Sequence, residues 1–233
     1  SSPGGLVNYV VKRPTEASLR GLRLETSNYG GLLAHLELGD RFGEDRRFGY
    51  RLNAVAADVH SYVPDANGKR GLFALAMDWR ATRDTLVEAE FELSRLKQPS
   101  VPGLSLLGNA LPPANPFINI NSQPWSQPNQ FDSFSGSIGI QQAINSQWRW
   151  QGQLGTQQLK TDDRLAYPFG CYDNSSGVYY ADRFCPNGDF DLYDYRSNNE
   201  RRKTQSALLR VIGDVQTGSV RHNLNFGVQG TRY

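Results

Sequence analysis

Apolar and polar residues alternate with a period of two along most of this chain. In the clearest hairpin, residues 73–79 alternate in this way, and residues 87–93 do so again after a tight turn at residues 82–84. A period of two places successive side chains on opposite faces of a β-strand, whereas a helix has a period of about 3.6. The pattern therefore predicts half-buried strands, and each strand of this hairpin reaches about 9–11 residues, the length that crosses a bilayer at a tilt.

The connections between the predicted strands differ in length in a regular manner. Every second connection is short, and these lie at residues 43–46, 82–84, 144–146 and 214–219. Apart from the first turn, the connections between them are long, at residues 60–71, 97–131 and 161–196. Outer-membrane barrels have short turns on one side and long loops on the other. We therefore predict an all-β fold, namely an antiparallel transmembrane β-barrel segment of roughly nine strands.

The composition is compatible with a membrane barrel and excludes a transmembrane helix. The 233 residues contain no run of about 18 apolar residues, which a membrane-spanning helix requires. The 11 Tyr, 11 Phe and 4 Trp residues suit aromatic girdles, although a soluble β-sandwich could contain as many. The net charge of +2 indicates no nucleic-acid partner. Because the chain starts within a motif and carries no signal peptide, we expect an internal fragment of a longer protein.

The opening stretch combines a turn, a short apolar strand and a basic pair. Gly4 and Gly5 allow backbone angles that other residues avoid, and Pro14 ends the apolar run because it cannot donate a ladder hydrogen bond. Residues 2–15 resemble the last segment of the plug domain in TonB-dependent outer-membrane receptors, in particular ferric-siderophore receptors. The residues that carry the resemblance are Pro3, Gly4, Gly5, Asn8, Lys12, Arg13 and Pro14.

This resemblance implies a domain boundary and a location. Residues 1–17 would be the C-terminal end of a plug domain, and residues 18–233 would be the N-terminal part of a barrel with about 22 strands. The protein would lie in the bacterial outer membrane, with its long loops extracellular and its short turns periplasmic. Lys12 and Arg13 would form ion pairs between the plug and the barrel wall, or would anchor the periplasmic edge.

The resemblance also implies a function in transport. Receptors of this family bind a ferric siderophore from outside the cell, and the inner-membrane TonB complex powers its import. We therefore expect a ferric siderophore, the TonB complex (through a segment missing here) and outer-membrane lipid as partners, and no nucleic acid. We expect no enzymatic activity, no catalytic residues and no cofactor.

Other functions are open at this point. A TonB-dependent receptor can take another ligand, such as cobalamin, a carbohydrate or a peptide. A passive porin or adhesin would lack the plug motif, and an outer-membrane enzyme would need a Ser/His or Asp/His arrangement that the sequence does not contain. A soluble β-sandwich would not explain the regular alternation of loop lengths.

The two longest loops contain the candidate ligand-binding residues. Cys171 and Cys185 are 14 positions apart, which fits one loop-closing disulfide that would stabilise the loop by about 3 kcal/mol. Aromatic rings in a concave vestibule can stack on a flat organic chelate, or they can pack the loops against their neighbours. The candidates are Phe117, Trp125, Tyr167, Phe169, Tyr179 and Tyr180.

Charged residues give weaker indications. Three carboxylates share one face of a strand, either as an acidic stripe that lines a transport lumen or as a hydrated wall paired with Arg80 and Arg51. This acidic stripe consists of Glu88, Glu90 and Glu92. A second acidic group lacks the turn glycine of a calcium loop, so we expect a solvated loop and no metal site. Its members are Asp189, Asp191, Asp194 and Glu200.

Overall fold

The computed structural model describes residues 10–113 and 115–233. In this part of the chain, nine antiparallel strands form one sheet in the order of the sequence. They are β1 (Leu19–Thr26), β2 (Leu32–Phe42), β3 (Phe48–Val59), β4 (Gly68–Arg80), β5 (Thr85–Gln98), β6 (Asn129–Ala143), β7 (Trp148–Pro168), β10 (Leu192–Thr217) and β11 (Val220–Arg232). A separate hairpin pairs β8 (Cys171–Asp173) with β9 (Val178–Tyr180), and a short 3₁₀ helix (Glu44–Arg46) follows β2. The described residues contain no helix long and apolar enough to span a membrane.

The connections have the predicted alternation of short and long. Short turns join β2 to β3, β4 to β5, β6 to β7 and β10 to β11. The long loops lie on the opposite side of the sheet, at residues 60–67, 99–128 and 169–191. The last turn is tighter than predicted, because Thr217 still pairs with Val220 around Gly218, which has a φ of 59°.

The predicted loop at residues 161–196 is shorter in the structure, because both of its ends are strand. Tyr195 pairs with Leu165, so that β7 and β10 extend beyond the length that crosses a bilayer. Aromatic and charged residues follow one another here without a period of two. The sequence pattern therefore did not predict that these ends of β7 and β10 are strand. The register shifts between Ser197 and Glu200, where β10 contains a bulge.

The sheet has one apolar face and one polar face. On the apolar face, Leu154 and Phe226 are each 61% exposed, which fits side chains that face lipid rather than a protein core. Phe42, Phe48 and Trp79 lie side by side on this face next to the short turns, with ring centroids 5.6 and 5.9 Å apart. Such a cluster of rings beside the short turns fits the aromatic girdle that outer-membrane barrels have at a membrane interface.

Candidate functional site

The polar face of the sheet, called the inner wall below, lines a cavity of about 620 Å³. One row of paired residues crosses the inner wall from strand to strand, and it contains Asn53, Ala74, Glu92, Ser135, Gln157 and Thr204. Val10, Val11 and Lys12, which precede β1, line the same cavity. The chain before β1 therefore runs along the inner wall.

The basic pair of the opening motif binds carboxylates of the inner wall. Lys12 Nζ lies 2.7 Å from Glu37 Oε1, and the Arg13 guanidinium lies 3.4 Å from Glu88 and 3.1 Å from Glu90. The contact with Glu90 Oε2 is an ion pair without hydrogen-bond geometry. Two members of the acidic stripe thus attract the segment at residues 10–16.

The predicted arginine partners of the acidic stripe are wrong. Arg51 pairs with Glu37 at 2.9 Å, and Arg80 pairs with Glu16. In the described residues, neither arginine pairs with the stripe, and Arg13 takes that position instead. The strand register explains the choice of Arg51, because Ala76 of β4 lies between Arg51 and Glu90, whereas Glu37 lies on β2, directly beside the strand of Arg51.

Two glycines of the inner wall leave room for this segment. A Cβ added at Gly49 in β3 would lie 2.7 Å from the Cβ of Pro14. A Cβ added at Gly39 in β2 would lie 2.8 Å from Thr15 Oγ1. Because close-packed protein interiors do not accommodate such distances without movement, the proline of the motif packs against a position that glycine fits.

A network of charges fixes the end of the segment near the short turns. Arg41 donates two hydrogen bonds of 2.8 Å to the two oxygens of Asp78, and both side chains are buried. Arg41 Nε also donates to Glu16 at 3.0 Å, and Arg80 donates to the same carboxylate. The hydrogen bond from Arg80, together with the charge of Arg41, holds the pKa of Glu16 below its usual value. Glu16 therefore stays ionised and connects the segment to β2 and β4.

The structure describes part of the opening motif. Pro3, Gly4, Gly5 and Asn8 lie outside the described residues. Lys12, Arg13 and Pro14 lie within them, and all three contact the inner wall. Sequence analysis missed Glu16, whose partners Arg41 and Arg80 are distant in sequence and become neighbours only through strand pairing.

On the other side of the sheet, the loops at residues 99–128 and 169–191 bind each other. Cys171 and Cys185 form a disulfide with their Cα atoms 5.5 Å apart. Next to it, the Phe184 N–H donates to Leu106 O at 2.8 Å, and the Phe184 carbonyl accepts from Gly108 N at 2.9 Å. The Phe184 ring is 4% exposed. The loop at residues 169–191, called the disulfide-closed loop below, is thus attached to the loop at residues 99–128, called the proline-rich loop below.

Two asparagines, one at the start of β6 and one in the proline-rich loop, bind the free edge of β7. This strand extends past the start of β6, so the N–H groups on its β6 side have no strand partner there. The Arg164 N–H donates to Asn129 Oδ1 at 2.6 Å, and the Ala166 N–H donates to Asn121 Oδ1 at 2.7 Å. Asn121 is 2% exposed, and its Nδ2 donates to Ser100 O at 2.7 Å. Side-chain amides thus satisfy the strand edge and hold the loop in place.

An aromatic cluster lies where β7 and β10 extend beyond β6. Tyr167 stacks on Tyr193 with 5.8 Å between ring centroids, and Phe169 packs edge-on against Tyr193 at 6.3 Å. By the alternation of β7, Tyr167 lies on the same face as Gln157, which lines the cavity. Sequence analysis missed Tyr193, because it lies in the part of β10 that the pattern concealed.

The remaining four ligand-binding candidates add no ring to this cluster, and only Tyr179 reaches it, through its hydroxyl. Tyr179 packs over Gly170, since a Cβ added at Gly170 would lie 2.6 Å from the Tyr179 hydroxyl. Tyr180 is the last residue of β9. Phe117 and Trp125 are 59% and 40% exposed in the proline-rich loop. In the described residues, neither of these two rings contacts the cluster. The structure therefore brings Tyr167 and Phe169 into the cluster as rings and brings the Tyr179 hydroxyl against that of Tyr193, whose pKa it raises. It leaves Phe117, Trp125 and Tyr180 separate.

Asp173 closes the small hairpin between β8 and β9. The hydroxyls of Ser175 and Ser176 each donate to it at 2.6 Å, and the Ser175 N–H donates at 2.9 Å. These hydrogen bonds, with Ser175 contributing most, lower the pKa of Asp173 to about 2. Within residues 10–113 and 115–233, no group of three or more His, Cys, Asp or Glu side chains is arranged to hold a metal ion.

Comparison with known proteins identifies relatives among outer-membrane receptors. The chain is 23% identical over 232 residues to the metal-pseudopaline receptor CntO of Pseudomonas aeruginosa. This alignment covers 99% of this chain and 31% of the relative. It is 19% identical to the ferrichrome receptor FcuA of Yersinia enterocolitica, over 97% of this chain and 28% of the relative. The chain thus spans about a third of the length of the curated relatives that it matches. No protein-family model matches the chain.

Solved structures share the fold. The ferric-catecholate import receptor Fiu of Escherichia coli matches with a TM-score of 0.76 and 15% identity over 99% of this chain and 34% of that chain. The ferric preacinetobactin receptor BauA of Acinetobacter baumannii matches with a TM-score of 0.73 and 18% identity over 94% and 31%. The fold is therefore that of a β-barrel of the bacterial outer membrane, and the chain is similar to receptors of this class. The predicted resemblance to TonB-dependent receptors of the siderophore type is confirmed, and the nine strands match part of the barrels in these solved structures.

Proposed function

We propose that the protein containing this chain imports a ferric siderophore across the outer membrane and that the TonB complex powers the import. The observation that carries the proposal is the attachment of residues 10–16, through Lys12, Arg13 and Glu16, to the inner wall of a barrel with this fold. Such an attachment fits the last segment of a plug. We therefore propose that residues 1–17 end a plug domain and that residues 18–233 belong to the barrel.

The names of the relatives support the ligand class. One relative is a receptor for a metal-pseudopaline complex, and another is a ferrichrome receptor. Tyr167, Phe169 and Tyr193 offer flat rings on the cavity side of the extended strands, and such rings can stack on an organic chelate. The disulfide and the asparagine contacts keep the surrounding loops ordered before a ligand arrives, which lowers the entropic cost of binding.

Tryptophan fluorescence of the intact receptor in detergent tests the proposal. The ligands are ferric catecholate, hydroxamate and carboxylate siderophores, with cobalamin and an oligosaccharide as controls. Saturable quenching by one class of ferric siderophore, absent for its iron-free form, is the expected result. Saturation by a control ligand alone would contradict the siderophore assignment and leave a receptor for another ligand.

Ring removal tests the proposed binding surface. We expect the Tyr167→Ala and Tyr193→Ala variants to bind the active siderophore about 3–10-fold more weakly, since one aromatic contact contributes about 0.5–1.5 kcal/mol. Phe117→Ala removes a matched exposed ring from the proline-rich loop and should leave affinity unchanged. Equal loss in all three variants, or loss only at Phe117, would contradict the assignment of the cluster as the ligand contact.

A second candidate function is import of a metal complex other than iron. The name of the metal-pseudopaline receptor favours it, because that name does not specify iron. The same titration with nickel-, cobalt- and zinc-loaded chelators separates the two candidates, since only the preferred metal complex will saturate at low concentration.

Energisation by TonB requires a measurement in cells. Uptake of the radiolabelled metal complex should stop when the TonB complex is deleted, while binding to the cell surface persists. Uptake that continues at the same rate without TonB would indicate a passive barrel.

A further inference from the structure

A second, smaller cavity of about 160 Å³ lies on the inner wall beside the segment at residues 10–16. Arg13 of this segment and Arg210 of β10 both line it, and it is called the arginine pocket below. Ser137 and Gln153 line both the arginine pocket and the cavity of about 620 Å³. The two cavities are therefore neighbours on the inner wall.

Strand pairing places Arg210 on the short-turn side of the ion pairs of Arg13. Glu88 lies in the same row of paired residues as Gln153, and Arg210 lies opposite Gln151 in the next row towards the short turns. Gln151 and Tyr167 of the aromatic cluster lie near opposite ends of β7, which separates them by roughly 50 Å at about 3.3 Å per residue. The arginine pocket is thus far from the rings that are proposed to contact the ligand.

The arginine pocket carries a net positive charge, because one of its two arginines is not neutralised. Its charged lining residues are Arg13, Glu88 and Arg210. Arg13 is compensated by Glu88 at 3.4 Å and by Glu90 at 3.1 Å. The second oxygen of Glu88 accepts a hydrogen bond of 2.9 Å from Gln141 Nε2. Arg210 forms no ion pair with any residue that the structure describes.

Gln151 holds the Arg210 side chain in place. Arg210 Nε donates to Gln151 Oε1, and this bond is partly buried. It uses one of the five N–H donors of the guanidinium group. In the described part of the chain, neither Nη group of Arg210 donates a hydrogen bond. A fixed cation with unused donors in a confined cavity favours an anionic acceptor.

The chemistry of the arginine pocket favours a carboxylate over other ligands. Both guanidinium groups would repel a metal cation, and an uncharged solute would leave the charge of Arg210 uncompensated. A carboxylate matches the planar fork of a guanidinium group in bidentate geometry. The volume of about 160 Å³ is smaller than the about 300–1,000 Å³ of pockets that hold drug-sized ligands. The arginine pocket therefore has room for one carboxylate arm rather than for a whole organic chelate.

We propose that the arginine pocket binds a carboxylate group of the metal chelate as the chelate passes along the inner wall towards the periplasm. Glu90 and Glu92 line the larger cavity and repel such a group, whereas Arg210 attracts it on the short-turn side. The inference rests on the proposed function and deepens it, since it names the cargo as an anionic, carboxylate-bearing complex. Arg210 acts on passage and not on the first binding of the ligand.

Isothermal titration of the intact receptor in detergent tests the site itself. The probes are malonate, malonamide, which has a similar shape without the charge, and inorganic phosphate. We expect malonate to bind, and we expect Arg210→Gln to weaken its binding about tenfold, because a charge-assisted hydrogen bond is lost. Malonamide and phosphate should bind more weakly than malonate, since the first lacks the charge and the second lacks the planar carboxylate.

Arg202 provides the matched control. It faces the inner wall on the same strand, lies nearer to the long loops and has Glu200 as its partner at 3.5 Å. Arg202→Gln should therefore leave malonate binding unchanged. Equal binding by the wild type and Arg210→Gln would overturn the proposal, and so would malonamide or phosphate that binds as tightly as malonate. If Arg210→Gln does not fold, malonate affinity of the wild type that does not fall with added salt would also overturn it.

Uptake by cells separates this inference from the proposed function. Arg210→Gln should slow the uptake of a radiolabelled ferric carboxylate siderophore and leave its binding to the cell surface unchanged. Uptake at the wild-type rate in this variant would overturn the role of Arg210 in passage while the proposed function stands. Malonate binding that depends on Arg210, in a receptor that binds no ferric siderophore, would instead contradict the proposed function and the assigned cargo together.

Discussion

Pro14 and Gly49 are in direct contact, and the contact requires the absence of a side chain at residue 49. A Cβ added at Gly49 would lie 2.7 Å from the Cβ of Pro14, 2.9 Å from Asp78 Oδ1 and 3.1 Å from Arg41 Nη1. The apolar contact of the motif and the buried ion pair therefore meet at one position of the inner wall. This position joins the segment before β1 to the barrel.

The first prediction concerns Gly49. Gly49→Ala should displace the segment at residues 10–16 and lower the free energy of unfolding by about 1–3 kcal/mol, because overpacking forces the backbone or the ion pair to move. Thermal unfolding of the intact receptor and hydrogen exchange of residues 10–16 measure the two effects. Gly71→Ala is the matched control, since its added Cβ would meet only Val55 O at 3.9 Å. Equal effects of both substitutions would contradict the prediction.

The second prediction concerns the ion pair of Arg41 and Asp78. Asp78→Asn should lower the free energy of unfolding by up to about 3–5 kcal/mol, because it removes the buried carboxylate and leaves only the exposed Glu16 to compensate the charge of Arg41. Thermal unfolding of the receptor measures the loss. Asp45→Asn is the control, since its ion pair with Arg47 is exposed and such pairs contribute about 0–1 kcal/mol. A loss at Asp78 no larger than that at Asp45 would show that water reaches the Arg41 site.

The membrane explains which parts of the fold could be predicted from sequence. In β4 and β5, one face meets lipid and the other meets the polar cavity, so the period of two is pronounced and the acidic stripe was correctly predicted to face inward. The ends of β7 and β10 lie beyond the bilayer, where both faces meet water or loops, and no alternation marks them. Local patterns contain no information about these strand extensions.

The contacts of the site were less predictable than its residue types. The basic pair Lys12 and Arg13 was expected to bind the barrel wall, and the structure contains such ion pairs. The partners of Glu16 were not predictable, because Arg41 is 25 positions away and Arg80 is 64 positions away. These contacts depend on the strand register, that is, on which residues of neighbouring strands lie opposite each other. A period of two predicts the face on which a side chain lies, but it does not predict the register.

The third prediction is a pH dependence of the hairpin formed by β8 and β9. The pKa of Asp173 is lowered to about 2 from an ordinary value of about 3.9, so its ionised form is stabilised in the folded hairpin. This contribution is complete above about pH 4 and is lost as the pH falls through 2. Carbon-13 NMR of aspartate-labelled receptor, with Asp173→Asn for assignment, measures the titration. Replacing both Ser175 and Ser176 with Ala should return the pKa towards its ordinary value, and an unchanged pKa would contradict the assigned cause.

The fourth prediction concerns the disulfide. Replacing Cys171 and Cys185 with Ser should destabilise the loop at residues 169–191 by about 3 kcal/mol. The effect should reach the proline-rich loop, because the backbone of Phe184 is hydrogen-bonded to it. Hydrogen exchange measured by mass spectrometry should therefore become faster at residues 106–110, where the sequence is unchanged. Faster exchange confined to residues 169–191 would show that the two loops move independently.

The last prediction tests whether charge holds the segment at residues 10–16 on the inner wall. Arg13→Glu places a carboxylate against Glu88 and Glu90, so repulsion should replace attraction and hydrogen exchange of the segment should become faster. Combining Arg13→Glu with Glu88→Lys and Glu90→Lys restores opposite charges with their positions reversed. If the ion pairs act directly, the combined variant should hold the segment more stably than the sum of the separate effects of Arg13→Glu and of the two Glu→Lys changes predicts. The difference, which is the coupling energy, should be about 0.5–3 kcal/mol.

The size of that coupling distinguishes two ways in which the segment can be held. Arg13 is 44% exposed, so solvent screens its ion pairs and the coupling should lie near the lower end of this range. The buried network around Arg41 is screened much less and should contribute more to holding the segment. Exchange of residues 10–16 that responds to Asp78→Asn more strongly than to Arg13→Glu is therefore the expected order. The reverse order would mean that the acidic stripe, and not the buried network, holds the segment on the barrel.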